Sequence, residues 1–226
     1  MNNTAIIMPV YNEAKVVGDV INTIRKQFDS VICVNDGSSD TSGQIIKDSG
    51  AVLVEHPINL GAGAATQTGI DYALQDVNFK YFVTIDADGQ HDVNDAVTML
   101  NYLKTHDLDV VFGSRFIGEV ENIGWLKRHF LKLAAIFSQH ASGIKLTDPH
   151  IGLRVFNRKF AENLKLTLPD FTHASELIYR VKEGNYKYAE VPVKVTYSDY
   201  SKSKGQPMLN AINITADLLF HKMSKK

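Results

Sequence analysis

The sequence is poor in the features that mark several common classes of protein. Cys33 is the single cysteine among 226 residues, which excludes an intrachain disulfide framework and a zinc site built from several cysteines. No apolar run approaches the ~18 residues that a membrane-spanning helix needs. Neither a phosphate-binding Gly-x-x-x-x-Gly-Lys-Ser/Thr loop nor a Gly-x-Ser-x-Gly hydrolase elbow occurs. Since Cys33 itself lies in an apolar run, we expect it to be buried as a small hydrophobic side chain.

The charge is balanced in total but unevenly distributed. The chain has 24 basic and 25 acidic residues for a net charge of −1, and 44% of its residues are hydrophobic. This is the composition of a folded domain, and it argues against a disordered chain and against a nucleic-acid binder. Residues 122–147 and 200–226, however, each carry a net charge of +4. We therefore expect the C-terminal half to have anionic partners.

The first half of the chain alternates between short apolar runs and segments of helical period. This alternation predicts right-handed βαβ units and a mostly parallel sheet with helices on both faces. In the second half we expect a helix at 124–142, a strand from Tyr188 to Tyr197 and a final helix at 207–222. The first-half strands are predicted at Ala5 to Val10, Val31 to Val34, Ala51 to Glu55, Tyr81 to Ile85 and Asp109 to Phe112, and the helices at 14–27, 41–49, 63–75 and 93–105.

Polar, glycine-rich clusters follow each of the five predicted strands. Parallel sheets bind ligands at the carboxyl ends of their strands, so the clusters predict one composite cleft. Taken alone, the second cluster is equally explained as a turn and a helix cap. The third lacks the last glycine of a dinucleotide fingerprint and does not follow the first strand, which argues against that kind of cofactor site. The clusters are Pro9 to Glu13, Asn35 to Asp40, Asn59 to Gly63, Asp86 to His91 and Gly113 to Arg115.

Asp86 and Asp88 form the strongest single pattern, because they directly follow an apolar strand. Gly89 permits a turn, so both carboxylates can approach one hard cation such as Mg²⁺ or Mn²⁺. The cation would bridge to substrate phosphates and stabilise a departing diphosphate. The plainer alternative is a turn with a solvated carboxylate. The strand context and the adjacent Gln90 and His91 favour the metal site.

The order of these clusters resembles that of a known family. Together with Asp148-Pro149-x-x-Gly152-x-Arg154, they resemble a family-2 glycosyltransferase of the GT-A fold, over residues 5 to about 205. Within the family they are similar to the polyprenol-phosphate (dolichol-phosphate) mannosyl- and glucosyltransferases. The resemblance implies an α/β fold with a Rossmann-like, mostly parallel central sheet flanked by helices, and C-terminal amphipathic helices. It also implies inverting transfer of a hexose from a UDP- or GDP-linked sugar with Mg²⁺ or Mn²⁺.

On the donor side, the resemblance assigns a role to each matching position. Asp86 and Asp88 match the metal and diphosphate motif, which also includes Ala87. Gln90 matches a further metal ligand. The positions that hold the nucleotide base and ribose are Pro9, Tyr11, Glu13 and Asp36.

The remaining matching positions are basic. Arg115 and Lys204 match positions that contact phosphates, where with the metal they would neutralise the departing nucleoside diphosphate, and together with Asp88 they would be the catalytic residues. Arg128 and Arg154 match basic positions near an acceptor phosphate. The implied acceptor is a polyprenyl phosphate, undecaprenyl or dolichyl, and the local surplus of basic residues suits such a lipid monophosphate.

Three positions depart from the family pattern. Asn35 stands where the first of two aspartates is usual, and Val93 stands where proline is frequent. Ser198 aligns with an arginine of the eukaryotic mannosyl enzymes. The last difference weakens any transfer of mannose specificity to this chain.

The acceptor decides whether the reaction needs a general base. A phosphate oxygen is already ionised at pH 7, whereas a hydroxyl must give its proton to a base. Asp148 and Glu176 are the candidate bases for a saccharide hydroxyl in cell-surface polysaccharide assembly. The plainer interpretation of Asp148 is a cap or turn beside Pro149, and that of Glu176 is an exposed helix face. A catalytically silent nucleotide-sugar-binding subunit is a further alternative, against which the intact Asp86 and Asp88 argue.

We expect one domain attached to a membrane surface. The basic amphipathic segments at 124–142 and 207–222 suit the headgroup layer, and a small membrane partner subunit would strengthen such docking. With neither a signal stretch nor a spanning segment, the expected location is cytoplasmic, peripheral at the inner face of the membrane. The glycosyltransferase domain is 1–226, with a nucleotide-sugar-binding half at 1–115, an acceptor-binding half at 116–205 and a C-terminal amphipathic helix and basic tail at 206–226.

Overall fold

The predicted parallel sheet is present, and it gains two strands from the second half of the chain. The computed structural model describes residues 1–117, 143–167 and 172–197 together with Tyr200. The strands are β1 Thr4–Val10, β2 Ser30–Asp36, β3 Val52–His56, β4 Tyr81–Thr84, β5 Val110–Ser114, β6 Arg154–Asn157 and β7 Tyr188–Pro192. They lie in the order β3-β2-β1-β4-β6-β5-β7. All five strands predicted in the first half are confirmed, with ends that shift by at most two residues.

The sequence pattern did not predict β6. This strand lies antiparallel between β4 and β5, whereas the other neighbouring strands pair in parallel. It has only four residues and begins with an arginine, so it lacks a recognisable apolar run. Its register pairs Arg154 with Thr84. Because β6 runs in reverse, its first residue, Arg154, lies at the carboxyl end of β4.

The helices of the described residues include all four that were predicted in the first half. Their bounds are α1 Val17–Ile24, α2 Ser42–Asp48, α3 Ala62–Leu74, α4 Val93–Thr105, α5 Arg158–Asn163 and α6 Thr172–Glu183. Helix α1 is shorter than expected, and α5 and α6 were not predicted. The helices expected at 124–142 and 207–222 lie outside the described residues. No helix in the described part of the chain is long and apolar enough to cross a bilayer.

Two apolar layers pack against the two faces of the sheet. Alternate residues of a strand point to opposite faces, so Ile6 and Met8 of β1 lie in one layer and Ala5 and Ile7 in the other. The first layer lies under α1, α2 and α4, and the second under α3, α5 and α6. Cys33 belongs to the first layer and is fully buried, as expected. Burial raises the pKa of its thiol to about 12.

The strand expected from Tyr188 to Tyr197 ends early, at Pro192. Beyond it, the chain runs along the loop that follows β4. The N–H of Lys194 donates to the Asp95 carboxylate at 2.7 Å, and the N–H of Thr196 donates to the carbonyl of Gln90 at 2.9 Å. Residues 193–197 therefore lie beside the predicted metal motif at the carboxyl edge of the sheet.

Candidate active site

The loop after β1 is held by side chains of the loop after β2. Asn12 has a positive φ of 55°, and its side-chain oxygen accepts the N–H of Ser39 at 2.8 Å. The N–H groups of Asn12 and Ala14 donate to the Ser38 hydroxyl at 2.9 Å and to the Asp40 carboxylate at 3.1 Å. Asp40, one residue before the N-cap Thr41, also accepts the first N–H of α2 at 2.9 Å, whereas the Thr41 side chain makes no cap hydrogen bond. The second polar cluster thus clamps the backbone of the first.

Asp36 holds the loop after β3 in a similar way. Its buried carboxylate accepts the N–H groups of Leu60 and Gly61, each at 2.9 Å, and lies 2.7 Å from Nδ1 of His56. An ionised carboxylate only accepts hydrogen bonds, so Nδ1 carries the proton. The other ring nitrogen lies 3.0 Å from the Thr68 hydroxyl. Asp36, expected at the nucleotide, therefore fixes the glycine-rich start of α3.

Asp88 lies in the turn after β4, close to a second carboxylate. It accepts the backbone N–H of Gln90 at 3.0 Å and the side-chain N–H at 2.6 Å, across the turn at Gly89 with φ of 73°. Burial and the negative charge of Asp86 raise the pKa of Asp88 to about 6. Two like charges that act on each other in this way favour the binding of a cation.

Asp86 packs directly against Gly152. A Cβ at position 152 would overlap both carboxylate oxygens of Asp86, so a glycine is required there. Nε2 of His91 lies 3.4 Å from Oδ2 of Asp86. Partial removal from water opposes the charge, but His91, Arg154 and His173 hold the pKa of Asp86 below its usual range. Half of the Asp86 side chain remains exposed, so the carboxylate is open to a ligand.

A cavity of about 90 Å³ lies next to Asp86, between the sheet and the first turns of α3 and α6. Arg154 lines this cavity and is only 3% exposed. Its Nε, like Nδ1 of the lining residue His150, has no hydrogen-bond partner in the described part of the chain. Burial lowers the pKa of Arg154 to about 10, and burial and Arg154 lower the pKa of His150 to about 4. The arginine is therefore charged at neutral pH, and buried polar atoms of this kind fit a polar or anionic ligand.

Arg115 is held from one side by Asp148. Nε and one terminal nitrogen donate to the two carboxylate oxygens at 2.6 and 2.7 Å, and the other terminal nitrogen donates to the Tyr197 hydroxyl at 3.1 Å. Burial alone would lower the pKa of Arg115, but the Asp148 carboxylate raises it above its usual range. A guanidinium has five N–H groups, and these contacts use three of them. Within the described part of the chain, two N–H groups of Arg115 are therefore left for a further anion.

The two candidate bases are both enclosed. Asp148 is 2% exposed and receives the fork of Arg115. Glu176 is 8% exposed and accepts the N–H and the hydroxyl of Thr167 at 2.7 and 2.8 Å, with Arg180 at 3.6 Å. The plainer interpretation of Glu176, as a residue on an exposed helix face, is wrong, because α6 turns this residue toward Thr167. Asp148 does lie in a turn beside Pro149, as its plainer interpretation has it, and its carboxylate is occupied by Arg115.

The remaining predicted residues on the donor side lie around the end of β1. Pro9 lines the cavity, Tyr11 is 47% exposed, and the Glu13 carboxylate accepts the Tyr200 hydroxyl at 2.8 Å. Tyr200 thereby joins the C-terminal part of the chain to this loop. Predicted site residues present in the described structure are Pro9, Tyr11, Glu13, Asp36, Asp86, Ala87, Asp88, Gln90, Arg115 and Arg154, whereas Arg128 and Lys204 lie outside it.

The donor set after β4 fits a magnesium-type ion. In residues 1–117, 143–167 and 172–197, no group of three or more His, Cys, Asp or Glu side chains could hold a metal alone. Mg²⁺, however, is commonly held by one or two carboxylates, with substrate phosphates and water as the other ligands. Asp86 and Asp88 match that requirement, since they flank Ala87, the charge of Asp86 acts on Asp88, and Asp86 is half exposed. Gln90, predicted as a ligand, donates to Asp88 and thus orients it.

Three residues that shape the site received no role from the sequence: His56, Gly152 and Glu190. Gly152 carried a signal, because a glycine within a polar cluster often marks a close approach of backbone to another group. His56 ends β3 directly before a polar cluster, which was a weaker signal. Glu190 accepts the N–H groups of Thr147 and Asp148, more than 40 residues away, so no local pattern could find it.

The comparisons with known proteins agree with this geometry. The sequence profile of glycosyl transferase family 2 matches residues 5–165. The chain is 28% identical to the UDP-N-acetylglucosamine–dolichyl-phosphate N-acetylglucosaminyltransferase of Methanococcus voltae, covering 97% of this chain and 96% of that one. It is 27% identical to the polyprenol monophosphomannose synthase of Mycolicibacterium smegmatis, covering 89% and 80%.

A solved structure confirms the fold. The glucosyl-3-phosphoglycerate synthase of Mycobacterium tuberculosis, in complex with Mn²⁺, UDP and glucosyl-3-phosphoglycerate, superposes with a TM-score of 0.73 at 16% identity, covering 99% of this chain and 79% of that one. The α/β architecture with a mostly parallel sheet is thereby confirmed as the GT-A fold. Since the family profile covers well over half of the residues, the chain belongs to glycosyl transferase family 2.

Proposed function

We propose that the protein is an inverting, metal-dependent hexosyltransferase that moves a hexose from a nucleotide-diphosphate sugar to a polyprenyl phosphate. Asp86 and Asp88 would hold Mg²⁺ or Mn²⁺ against the donor diphosphate, where the ion neutralises charge on the leaving group. Asp86 is half exposed and beside Asp88, which supports this role. The solved relatives with Mn²⁺ and UDP or UDP-glucose support a divalent ion and a nucleotide sugar.

The nucleotide would lie over the three clamped loops at the end of the sheet. Pro9, Tyr11 and Glu13 are the proposed contacts to base and ribose, and Tyr11, which is about half exposed, has surface available for stacking. Asp36 would contribute mainly by holding the Leu60 backbone and the start of α3, because its carboxylate already accepts three hydrogen bonds.

The observation that carries the choice of acceptor is the enclosure of both candidate bases. A saccharide hydroxyl needs a nearby base that is open to it, and loss of such a base slows transfer by ~10²–10⁴-fold. Asp148 is occupied by Arg115, and Glu176 by Thr167. A phosphate oxygen is already ionised. It can attack the anomeric carbon while the bond to the diphosphate oxygen breaks, with no proton transferred.

A phosphate acceptor needs cations, and Arg115 and Arg154 are cationic side chains at this edge of the sheet. Among the described residues, Arg115 has two N–H groups left, and Nε of Arg154, a buried residue that lines the cavity, has no hydrogen-bond partner. Arg128 and Lys204 are proposed as additional phosphate contacts on the resemblance alone. The names of the Methanococcus voltae and Mycolicibacterium smegmatis relatives support a polyprenol-type acceptor.

A lipid acceptor would place the reaction at a membrane surface. We therefore propose a peripheral enzyme at the inner face of the membrane, acting in the assembly of cell-surface polysaccharides. The comparisons lend no support to a small membrane partner subunit, and it is left out of the proposed reaction.

The test is transfer of label from a panel of radiolabelled UDP- and GDP-hexoses into organic-extractable lipid. Purified protein would be incubated with undecaprenyl phosphate and Mg²⁺ or Mn²⁺, with an EDTA control and a control lacking the lipid. We expect metal-dependent label in the lipid phase from one donor, which would also identify the sugar.

Two other results would contradict the proposal. Label in a soluble saccharide, with none in lipid, would move the acceptor to a hydroxyl. Binding of nucleotide sugar without any transfer would indicate the silent subunit.

A further inference from the structure

Glu190 lies on β7 and binds the turn that carries Asp148. Its carboxylate accepts the N–H of Thr147 at 2.8 Å, the N–H of Asp148 at 3.0 Å and the hydroxyl of Thr147 at 3.0 Å. Three donors on one carboxylate fix the position of this turn relative to the sheet, and charged acceptors make the stronger hydrogen bonds. Neither the donor site nor the metal site makes use of Glu190.

The charge of Glu190 also sets the direction of a longer hydrogen-bond chain. Because a carboxylate only accepts, the Thr147 hydroxyl must donate to Glu190. The Ser114 hydroxyl, 2.6 Å from Thr147 Oγ1, must then donate to Thr147, and its own oxygen accepts the N–H of Phe116 at 3.2 Å. One side chain on β7 thus orders the backbone on both sides of Arg115.

Arg115 is held by the same turn. The Asp148 carboxylate accepts both its backbone N–H, at 3.0 Å, and the guanidinium fork. The direction of the guanidinium therefore depends on where the turn holds Asp148, and Glu190 holds that turn. The two parallel hydrogen bonds also fix the plane of the guanidinium, so a shift of Asp148 would turn the whole group.

We propose that Glu190 is a positioning residue for the acceptor side of the reaction. It fixes the Thr147–Asp148 turn and thereby the Asp148 carboxylate. The two hydrogen bonds from Arg115 to that carboxylate then direct the two remaining N–H groups of Arg115 toward the acceptor phosphate. This inference rests on the proposed function, which gives Arg115 its phosphate contact. Asp88 and its surroundings share no hydrogen bond with Glu190 in the described residues, so donor binding should not depend on it.

The test is steady-state kinetics of Glu190→Gln, with donor and acceptor varied separately. Glutamine keeps the size and one accepting oxygen but loses the charge and the second acceptor. We expect kcat/KM for undecaprenyl phosphate to fall by about tenfold, since small errors of placement have effects of that order, while KM for the donor stays within about twofold. Glu183→Gln, a half-exposed residue paired with Arg180, is the control and should match the wild type.

The hydroxyl link can be examined with a matched pair of variants. Thr147→Val removes the donor to Glu190 at nearly constant shape, whereas Thr147→Ser keeps it. The valine variant should show the same acceptor-specific loss to a smaller degree, and the serine variant should restore wild-type kinetics. Equal losses in both variants would contradict a role for the hydroxyl chain.

A double-mutant cycle with Arg115→Lys tests whether Glu190 acts through Arg115. If it does, adding Glu190→Gln to Arg115→Lys should lower kcat/KM for the acceptor by less than about twofold, because the paired hydrogen bonds between Arg115 and Asp148 are already lost. A persistent tenfold cost, or equal losses for donor and acceptor, would overturn the proposal. Unchanged hydrogen exchange of the Thr147 and Asp148 amides in Glu190→Gln would also overturn it.

Failure of the proposed function would be distinguishable from failure of this inference. If the wild type transfers to a saccharide and not to lipid phosphate, the lipid acceptor is wrong. The same cycle, run with the saccharide, would still show coupling between Glu190 and Arg115 or refute it.

Discussion

Four carboxylates at the carboxyl edge of the sheet fall into two pairs with opposite surroundings. Asp86 and Asp88, the open pair, lie next to each other, and half of the Asp86 side chain is exposed. Asp148 and Glu176, the closed pair, are 2% and 8% exposed and accept hydrogen bonds from neighbouring residues. The sequence alone indicated the first two as candidate metal ligands and the last two as candidate general bases.

The difference indicates which carboxylates have a structural role and which are accessible to a ligand. Each member of the closed pair satisfies its oxygens within the protein, as buried charges must. In the open pair, Asp86 has His91 at 3.4 Å and Asp88 accepts two hydrogen bonds from Gln90, but two like charges still act on each other beside an exposed surface, which is unfavourable unless a ligand benefits from it. We therefore assign the chemistry to the open pair and a structural role to the closed pair.

The largest effect should follow from breaking the open pair. Asp88→Asn removes one of the two charges that would hold the cation, so we expect metal-dependent transfer to fall by at least ~100-fold. Circular dichroism should show an unchanged fold. Asp71→Asn, on the exposed side of α3, is the matched control and should retain activity. Full turnover in a folded Asp88→Asn variant would refute the metal role.

A second large effect should come from Gly152→Ala, which leaves every charge in place. The added methyl would overlap the Asp86 carboxylate, so that group must move. We expect transfer to fall by about tenfold to a hundredfold, with a smaller loss of stability. In Gly18→Ala the new methyl would meet only the Cγ2 methyl of Ile45, at 3.1 Å, and activity should be retained. Equal activities of the two variants would show that the placement of Asp86 is not critical.

The open pair should also be visible in the pH dependence of stability. The raised pKa of Asp88, about 6 against 3.8 for a free carboxyl, means that the folded state binds the proton more tightly. In EDTA, the tighter proton binding by Asp88 adds to the free energy of unfolding below about pH 4, and this added stability is lost as the pH rises toward 6. Asp88→Asn should therefore raise Tm relative to the wild type above pH 6, with no difference at pH 4. A pH-independent difference would contradict the coupling between Asp86 and Asp88.

The smallest effect on activity should come from the closed pair. Glu176→Gln weakens the contacts to Thr167 and Arg180, so it should lower Tm. Transfer to lipid phosphate should stay within about threefold of the wild type, because no base is lost. Thr167→Val, which removes one of the same contacts, should lower Tm in a similar way and serves as the comparison.

Local patterns predicted the open pair and most of the sheet, whereas the closed pair depends on distant contacts. β1 and β2 are buried on both faces, so their apolar runs stand out, and the polar residues that follow them mark the edge. β6 has four residues, and its place between β4 and β5 is decided by pairing with strands far away in the chain. The enclosure of Asp148 by Arg115, 33 residues earlier, could not be read from either segment alone.

The most direct test of this account is to compare Asp88→Asn and Glu176→Gln side by side for transfer of label to undecaprenyl phosphate at saturating donor and Mg²⁺. The account predicts that Asp88→Asn loses at least ~100-fold while Glu176→Gln keeps most of its activity, with both variants folded. The opposite order, with Glu176→Gln inactive and Asp88→Asn active, would place the chemistry on the closed pair and contradict the assignment.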